Sequence, residues 1–190
     1  GVYTGTGDSV INTYGKKVWI HSSNGPDKTV IYGEGVRTGI ICTSGETNET
    51  IFEGFTISDC RSSRGGGMYC SSSDPTVKDC IFENNFGSQD GGALYLSNSE
   101  PLIENCIFNN NSTSGYGGAI SQNYSGQATI RDCIIKENTA VYGGGAATAY
   151  SGLLLINTVV CDNTPDQMFG PWTNNGDACV AYSCADDNGD

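Results

Sequence analysis

The chain carries one histidine, His21, among 190 residues. That scarcity leaves little room for histidine-rich zinc sites, facial iron triads or Ser-His-Asp chemistry. Basic residues are also few: 9 Lys and Arg face 21 Asp and Glu, for a net charge of −12. Nucleic-acid and anionic-membrane binders need cationic surface, so neither partner is expected. No apolar run approaches the roughly 18 residues of a membrane span. Charged residues make up only 16% of the chain, whereas disordered segments are normally charge-rich. No stretch holds the i, i+3, i+4 apolar pattern of a helix. No Cys-x-x-Cys pair occurs, which argues against zinc and thioredoxin-like chemistry.

Glycine (27) and cysteine (9) are abundant instead, and the odd cysteine count leaves one thiol unpaired or paired to another chain. The glycines report a repeat. Gly65-Gly66-Gly67-Met68-Tyr69 returns as Gly91-Gly92-Ala93-Leu94-Tyr95, Gly117-Gly118-Ala119-Ile120-Ser121 and Gly144-Gly145-Ala146-Ala147-Thr148, at steps of 26, 26 and 27. A second motif keeps the same period. Val77 to Asn85 returns as Ile103 to Asn111 and Ile130 to Asn138, with a weaker copy at Ile156 to Asn163. Phe55 stands where Cys80 stands, 25 residues earlier. Units before residue 50 are degenerate, as terminal repeats usually are.

Each unit holds short alternating β-forming runs and no helix. A unit of about 26 residues built that way predicts one turn of a parallel β-solenoid. Turns stack about 4.8 Å apart, so equivalent residues touch. Cys80, Cys106 and Cys133 then form one inward column, and Phe82, Phe108 and Ile135 another, each Cys and its aromatic or Ile partner facing one side of a strand. Asn85, Asn111, Asn138 and Asn163 form an asparagine ladder at a turn, where side-chain amides bond along the stack and left-handed backbone is tolerated. The expected fold is all-β, a right-handed parallel β-helix of about six to seven coils, roughly 30 Å long. It spans residues 1–163, less regular over 1–50 and regular over 51–163. Residues 164–190 are expected to form an irregular, disulfide-bearing cap or tail.

Gly91-Gly92-Ala93-Leu94 and Gly117-Gly118-Ala119-Ile120, with Phe82-Glu83-Asn84-Asn85 and Phe108-Asn109-Asn110-Asn111, resemble the polymorphic outer-membrane-protein repeat of bacterial surface adhesins. More broadly, the chain is similar to the parallel β-helix proteins of the pectate-lyase-like superfamily over about residues 15–175. The resemblance implies a fold and leaves the activity open. Enzymes of that superfamily use exterior grooves with calcium-binding Asp clusters and a basic proton abstractor, or paired carboxylates.

The cysteine column reads first as small buried hydrophobes, with disulfides between neighbouring turns as the alternative. Cys42 and Cys70 occupy matching sites, where they stack or bridge. Cys60 falls in a Gly/Ser-rich loop. Cys161, Cys179 and Cys184 cluster near the C-terminus, with Cys161–Cys179 preferred over Cys179–Cys184 as a staple. Asp186, Asn188 and Asp190 match the opening of a calcium loop, read first as a solvated acidic tail; no cofactor is required, and calcium is the one candidate. Asn48, Asn110 and Asn123 head glycosylation sequons that matter if the source glycosylates, whereas ladder residue Asn111 is a poor acceptor.

Catalytic candidates are thin. Arg61, Arg64 and Arg131 are the arginines of the regular part, while Asp79, Glu104, Asn105 and Asp132 recur at equivalent sites and read as turn residues. His21 reads as a surface residue beside Trp19. Tyr14, Trp19, Tyr116, Tyr124, Tyr142 and Trp172 offer sugar-stacking platforms. The expectation is a non-catalytic extracellular adhesive or structural module. Its partners would be itself, end to end or by strand exchange, or surface glycans; a polysaccharide lyase or hydrolase and a glycan-binding module without turnover are the alternatives.

Overall fold

The structure is a computed structural model that describes residues 1–174 and 179–180. It is a parallel β-solenoid of about six turns, and its only described helix is a 3-10 turn at Pro26–Lys28. One regular coil shows the plan. It runs through the strands Met68–Ser71, Thr76–Lys78, Ile81–Glu83 and Phe86–Asp90, which define faces 1 to 4. These faces stack into sheets of seven, seven, eight and three strands. Every strand pairing is parallel, and faces 1 to 3 of the regular coils stay in register with the turns above and below, whereas face 4 shifts register between Gly87 and Asp90.

A residue in the left-handed region closes each side of the coil. The corners are Ser72 (φ 51°), Asp79 (φ 55°), Asn84 (φ 55°) and Gly91 (φ 62°). Asp and Asn tolerate this geometry, which explains why the Asp79, Asn105, Asp132 and Asn157 column recurs: all four have φ between 47° and 55°. The side chains of that column also alternate, with Asn105 donating to Asp79 and Asn157 to Asp132, so carboxylates are not stacked on carboxylates.

Register corrects one motif. Ile120 pairs with Ala146, so the equivalent of Gly117 is Gly143 (φ 61°), not Gly144, and the glycine period is 26 throughout. The N-terminal turns are longer: Ile11 pairs with Ile40 and Ile40 with Met68, steps of 29 and 28. Stacking runs past Asn163, because Met168–Phe169 pairs with face 1 and Trp172–Asn174 with face 2.

The interior is a set of columns. Ile31, Ile57, Phe82, Phe108, Ile135 and Val160 stack on face 3, with the Phe82 and Phe108 rings 5.0 Å apart. The asparagine ladder forms as expected. Asn85, Asn111 and Asn138 each donate an amide proton to the Oδ1 of the next ladder Asn, at 2.9–3.0 Å, and another to a strand carbonyl. The left-handed residue is not the ladder Asn but the one before it, at Asn84, Asn110, Glu137 and Asp162. Gln167 ends the ladder by accepting from Asn163 at 2.8 Å. Cys60 begins it: its backbone N–H donates to Asn85 Oδ1 at 3.0 Å. Cys60 is therefore buried in the stack rather than loose in a loop.

Cys80, Cys106 and Cys133 do stack, but at the corner between faces 2 and 3 rather than inside a strand, and Thr158 continues their column. All three are free thiols, as are Cys42, Cys60 and Cys70. The proposed Cys42–Cys70 bridge is thus absent; the two pair in register as neighbouring thiols. Burial pushes Cys60 up to about 12 and Cys106 well above the ordinary thiol range. The Cys42 thiol, with burial, does the same to Cys70. The neighbouring Cys106 thiol lowers Cys80 instead. Thiolate reacts only where reagent can reach it, and all six cysteines are buried, so they should stay unlabelled by iodoacetamide in the native protein and label only through unfolding. Peptide mapping by mass spectrometry checks this. Cys161 is disulfide-bonded; the expected Cys161–Cys179 and Cys179–Cys184 pairings fall on side chains outside the described ones, as do the calcium-loop candidates Asp186, Asn188 and Asp190.

One buried carboxylate ties the irregular first turns to the regular ones. Glu46, only 2% exposed, accepts from Thr13 Oγ1 (2.6 Å), Gly15 N (2.8 Å), Ser44 N (2.9 Å) and Ser73 Oγ (2.9 Å). Burial opposes its charge, but the bonds from Thr13, Ser44 and Gly15 outweigh that and lower the pKa from 4.5 to about 2. The folded-state pKa lies below the unfolded one, so the gain is complete above about pH 4.5 and fades as pH falls towards 2. That shift corresponds to about 3 kcal/mol at neutral pH. Glu46→Gln should cost a similar amount at pH 7 and flatten the acid limb of a urea-melt series between pH 2 and 5.

Candidate functional site

Side chains alternate along a strand, so on face 1 Met68 and Cys70 turn inward and Tyr69 turns outward. Register carries that outward site up the solenoid as Ile41, Tyr69, Tyr95, Ser121, Ala147 and Phe169. The column is large, then small for two turns, then large again. Ser121 and Ala147 therefore open a notch between Tyr95 and Phe169.

Two other columns wall the notch. On the side where the chain enters face 1 stand Arg64, Asp90, Tyr116 and Tyr142. The Tyr116 and Tyr142 rings stack at 4.9 Å, and Phe169 packs on them at 5.7 and 5.4 Å. On the side where the chain leaves stand the corner residues Tyr124 (φ 68°) and Tyr150 (φ 67°). Two turns earlier the same corner holds Ser72 and Asn98. A bulky residue in left-handed backbone is a strained choice, retained where something else requires it. The result is a trough of about 340 Å³.

Its polar groups gather at the Tyr95 end. Tyr69 and Tyr95 stack at 5.5 Å, and the Arg64 guanidinium lies 5.2 Å from the Tyr95 ring centre. Asp90 Oδ1 accepts from the Tyr116 amide at 3.1 Å, and Asp90 Oδ2 lies 3.8 Å from Arg64 Nε. Arg64 Nε is buried and has no hydrogen-bond partner. Asn123 Nδ2 donates to the Tyr95 hydroxyl at 3.5 Å, and burial raises the Tyr95 pKa, keeping the phenol neutral. Among the described residues, Asp90 is the only carboxylate lining the trough.

Other candidates lie elsewhere. Face 2 carries an outward charge ladder of His21, Glu53, Lys78, Glu104 and Arg131. Lys78 meets Glu53 at 3.0 Å and Arg131 meets Glu104 at 3.3 Å. Trp19 Nε1 donates to Glu53 at 2.7 Å and its ring stacks on His21 at 4.4 Å. Partial burial opposes the Glu53 charge, yet the bonds from Lys78 and Trp19 prevail and lower its pKa. These exposed pairs are worth little individually, and they consume Trp19 and Arg131. Arg61 sits over the Phe86 ring at 4.6 Å. Tyr14 is exposed on an N-terminal turn and Trp172 lies in the last described turn of face 2. Of the six expected stacking aromatics, Tyr116 and Tyr124 line the trough and Tyr142 stacks on Tyr116; Tyr95, Tyr150, Phe169 and Asp90 also line it and were not anticipated. Among the sequon residues, Asn48 and Asn110 are exposed, whereas Asn123 is half-buried in the trough. No three described His, Cys, Asp or Glu side chains gather as a metal site needs, and no described helix is long and apolar enough to cross a membrane.

A family model described as the right handed beta helix region matches residues 10–183. The chain belongs to the right-handed β-helix family. A search of curated proteins gave no match to this β-helix, and a search of solved structures gave none either.

Proposed function

We propose that this β-helix is an extracellular adhesive module that holds a carbohydrate in the face 1 trough and does not turn it over. The notch at Ser121 and Ala147, walled by Tyr116, Tyr124 and Tyr150, carries the reading. Aromatic faces accept the apolar faces of sugar rings, and a few convergent polar groups orient the hydroxyls. Acid–base hydrolysis calls for two carboxylates, and a lyase for a base beside a cation site. The trough offers one carboxylate, Asp90, already engaged by Arg64 and the Tyr116 amide. An acidic chain with few lysines suits an extracellular setting, and surface glycans are the fitting partner.

A glycan array followed by titration tests this. Tyr150 is 92% exposed, so Tyr150→Ala should leave the melting temperature unchanged while weakening glycan binding about tenfold. Release of reducing or unsaturated sugars during the incubation would favour the enzymatic reading instead.

A further inference from the structure

The trough is closed at both ends, and this limits what fits in it. At one end Tyr95 fills the column, with Arg64 laid over it and Asp90 beside it. At the other, Phe169 fills the column and packs against both wall tyrosines. Two turns separate these stops, giving a floor about 10 Å long. The volume of about 340 Å³ is near the lower bound for small-molecule sites, which run from about 300 to 1,000 Å³.

The charges narrow the chemistry. Among the described residues, Arg64 and Asp90 are the only ionisable pair of opposite sign in the trough, and they lie against each other, so together they present no net charge. The chain around it carries −12, which repels a polyanion. The remaining groups suit hydroxyls: the half-buried Asn123 amide, the buried Ser121 hydroxyl, and the Arg64 Nε, which makes no hydrogen bond. Tyr124 and Tyr150 hold left-handed backbone in the two turns that form the notch, where they stand across the trough from Tyr116.

Resting on the glycan-binding reading above, we infer that the trough recognises a short neutral saccharide, one or two pyranose rings at a chain end, rather than the interior of a long polysaccharide. The ring lies on the floor between the tyrosine walls, with its hydroxyls towards Arg64, Ser121 and Asn123.

Titration calorimetry on the full chain tests the inference. The probes are glucose-, galactose- and mannose-based series of one, two, three and six residues, with the uronate disaccharides as charged counterparts. One neutral series should gain affinity up to the disaccharide and then level off, the hexasaccharide lying within about twofold. The matching uronate should bind at least tenfold more weakly. Tyr124→Ala, which removes an exposed wall residue, should weaken binding at least tenfold while the melting temperature holds; Tyr116→Ala serves the same purpose if that variant does not fold. A tenfold or greater rise from disaccharide to hexasaccharide, or equal binding of the uronate, would overturn the inference and leave the glycan-binding reading standing. Absence of binding by every neutral saccharide would overturn both.

Discussion

Asn111→Ala should destabilise the protein by about 3–5 kcal/mol and lower its melting temperature by about 10 °C. Asn111 is fully buried and sits in the middle of the ladder. Its Oδ1 accepts from the Asn85 backbone N–H at 3.1 Å and from Asn85 Nδ2 at 3.0 Å. Its Nδ2 donates to Phe82 O at 2.9 Å and to Asn138 Oδ1 at 3.0 Å. Alanine leaves two buried donors of Asn85 without an acceptor, and each orphan costs about 1–3 kcal/mol. The two together cost about 2–6 kcal/mol, and partial relaxation keeps the sum near the middle of that range. Asn111→Asp should be as harmful, because it keeps the acceptor but sets a carboxylate against Phe82 O. The neighbouring Asn110 is exposed with φ 54°, so Asn110→Gly should cost nothing measurable. Thermal melts of the three variants check the set.

Gly118→Ala should be at least as harmful, beyond about 3 kcal/mol, with most of the protein insoluble on expression. A Cβ at Gly118 would lie 2.2 Å from Gly144 O and 2.8 Å from the backbone N and O of Thr139. Those atoms belong to the next turn, so no side chain can swing aside. Gly92 meets Gly118 O at the same 2.2 Å, which makes the requirement a property of the column and not of one site. Gly7 has nothing within 4 Å and no left-handed backbone, so Gly7→Ala should stay within about 0.5 kcal/mol of the parent. Equal soluble yields of Gly118→Ala and Gly7→Ala would contradict the close approach of the turns.

The stack was legible in the sequence because each motif repeats a physical demand. Asn85, Asn111, Asn138 and Asn163 recur since each must bond the next, and the Gly pairs recur since backbone passes backbone. What repeats less was misread. Gln167 caps the ladder without being an asparagine, and Cys60 heads it without an amide side chain. The corner glycine Gly143 was taken as Gly144, because three consecutive glycines fit either alignment. That single step matters for the site. It aligns Thr148 with Tyr95 and conceals the notch, whereas the observed register aligns Ala147 with Tyr95 and turns Thr148 inward. The trough is a departure from the repeat, small residues where neighbouring turns carry aromatics, so a search for likeness passes over it. Tyr116, Tyr124 and Tyr142 could be picked as exposed aromatics, but only the corner geometry places Tyr150 beside Tyr124.

A titration of the isotope-labelled protein with the best-binding neutral disaccharide, read by amide chemical shifts, tests the functional site most directly. The account predicts shifts confined to face 1 around Ser121, Asn123, Ala147, Tyr150 and Phe169. Shifts centred on Trp19 and His21 of face 2, or no shift at saturating sugar, would contradict it.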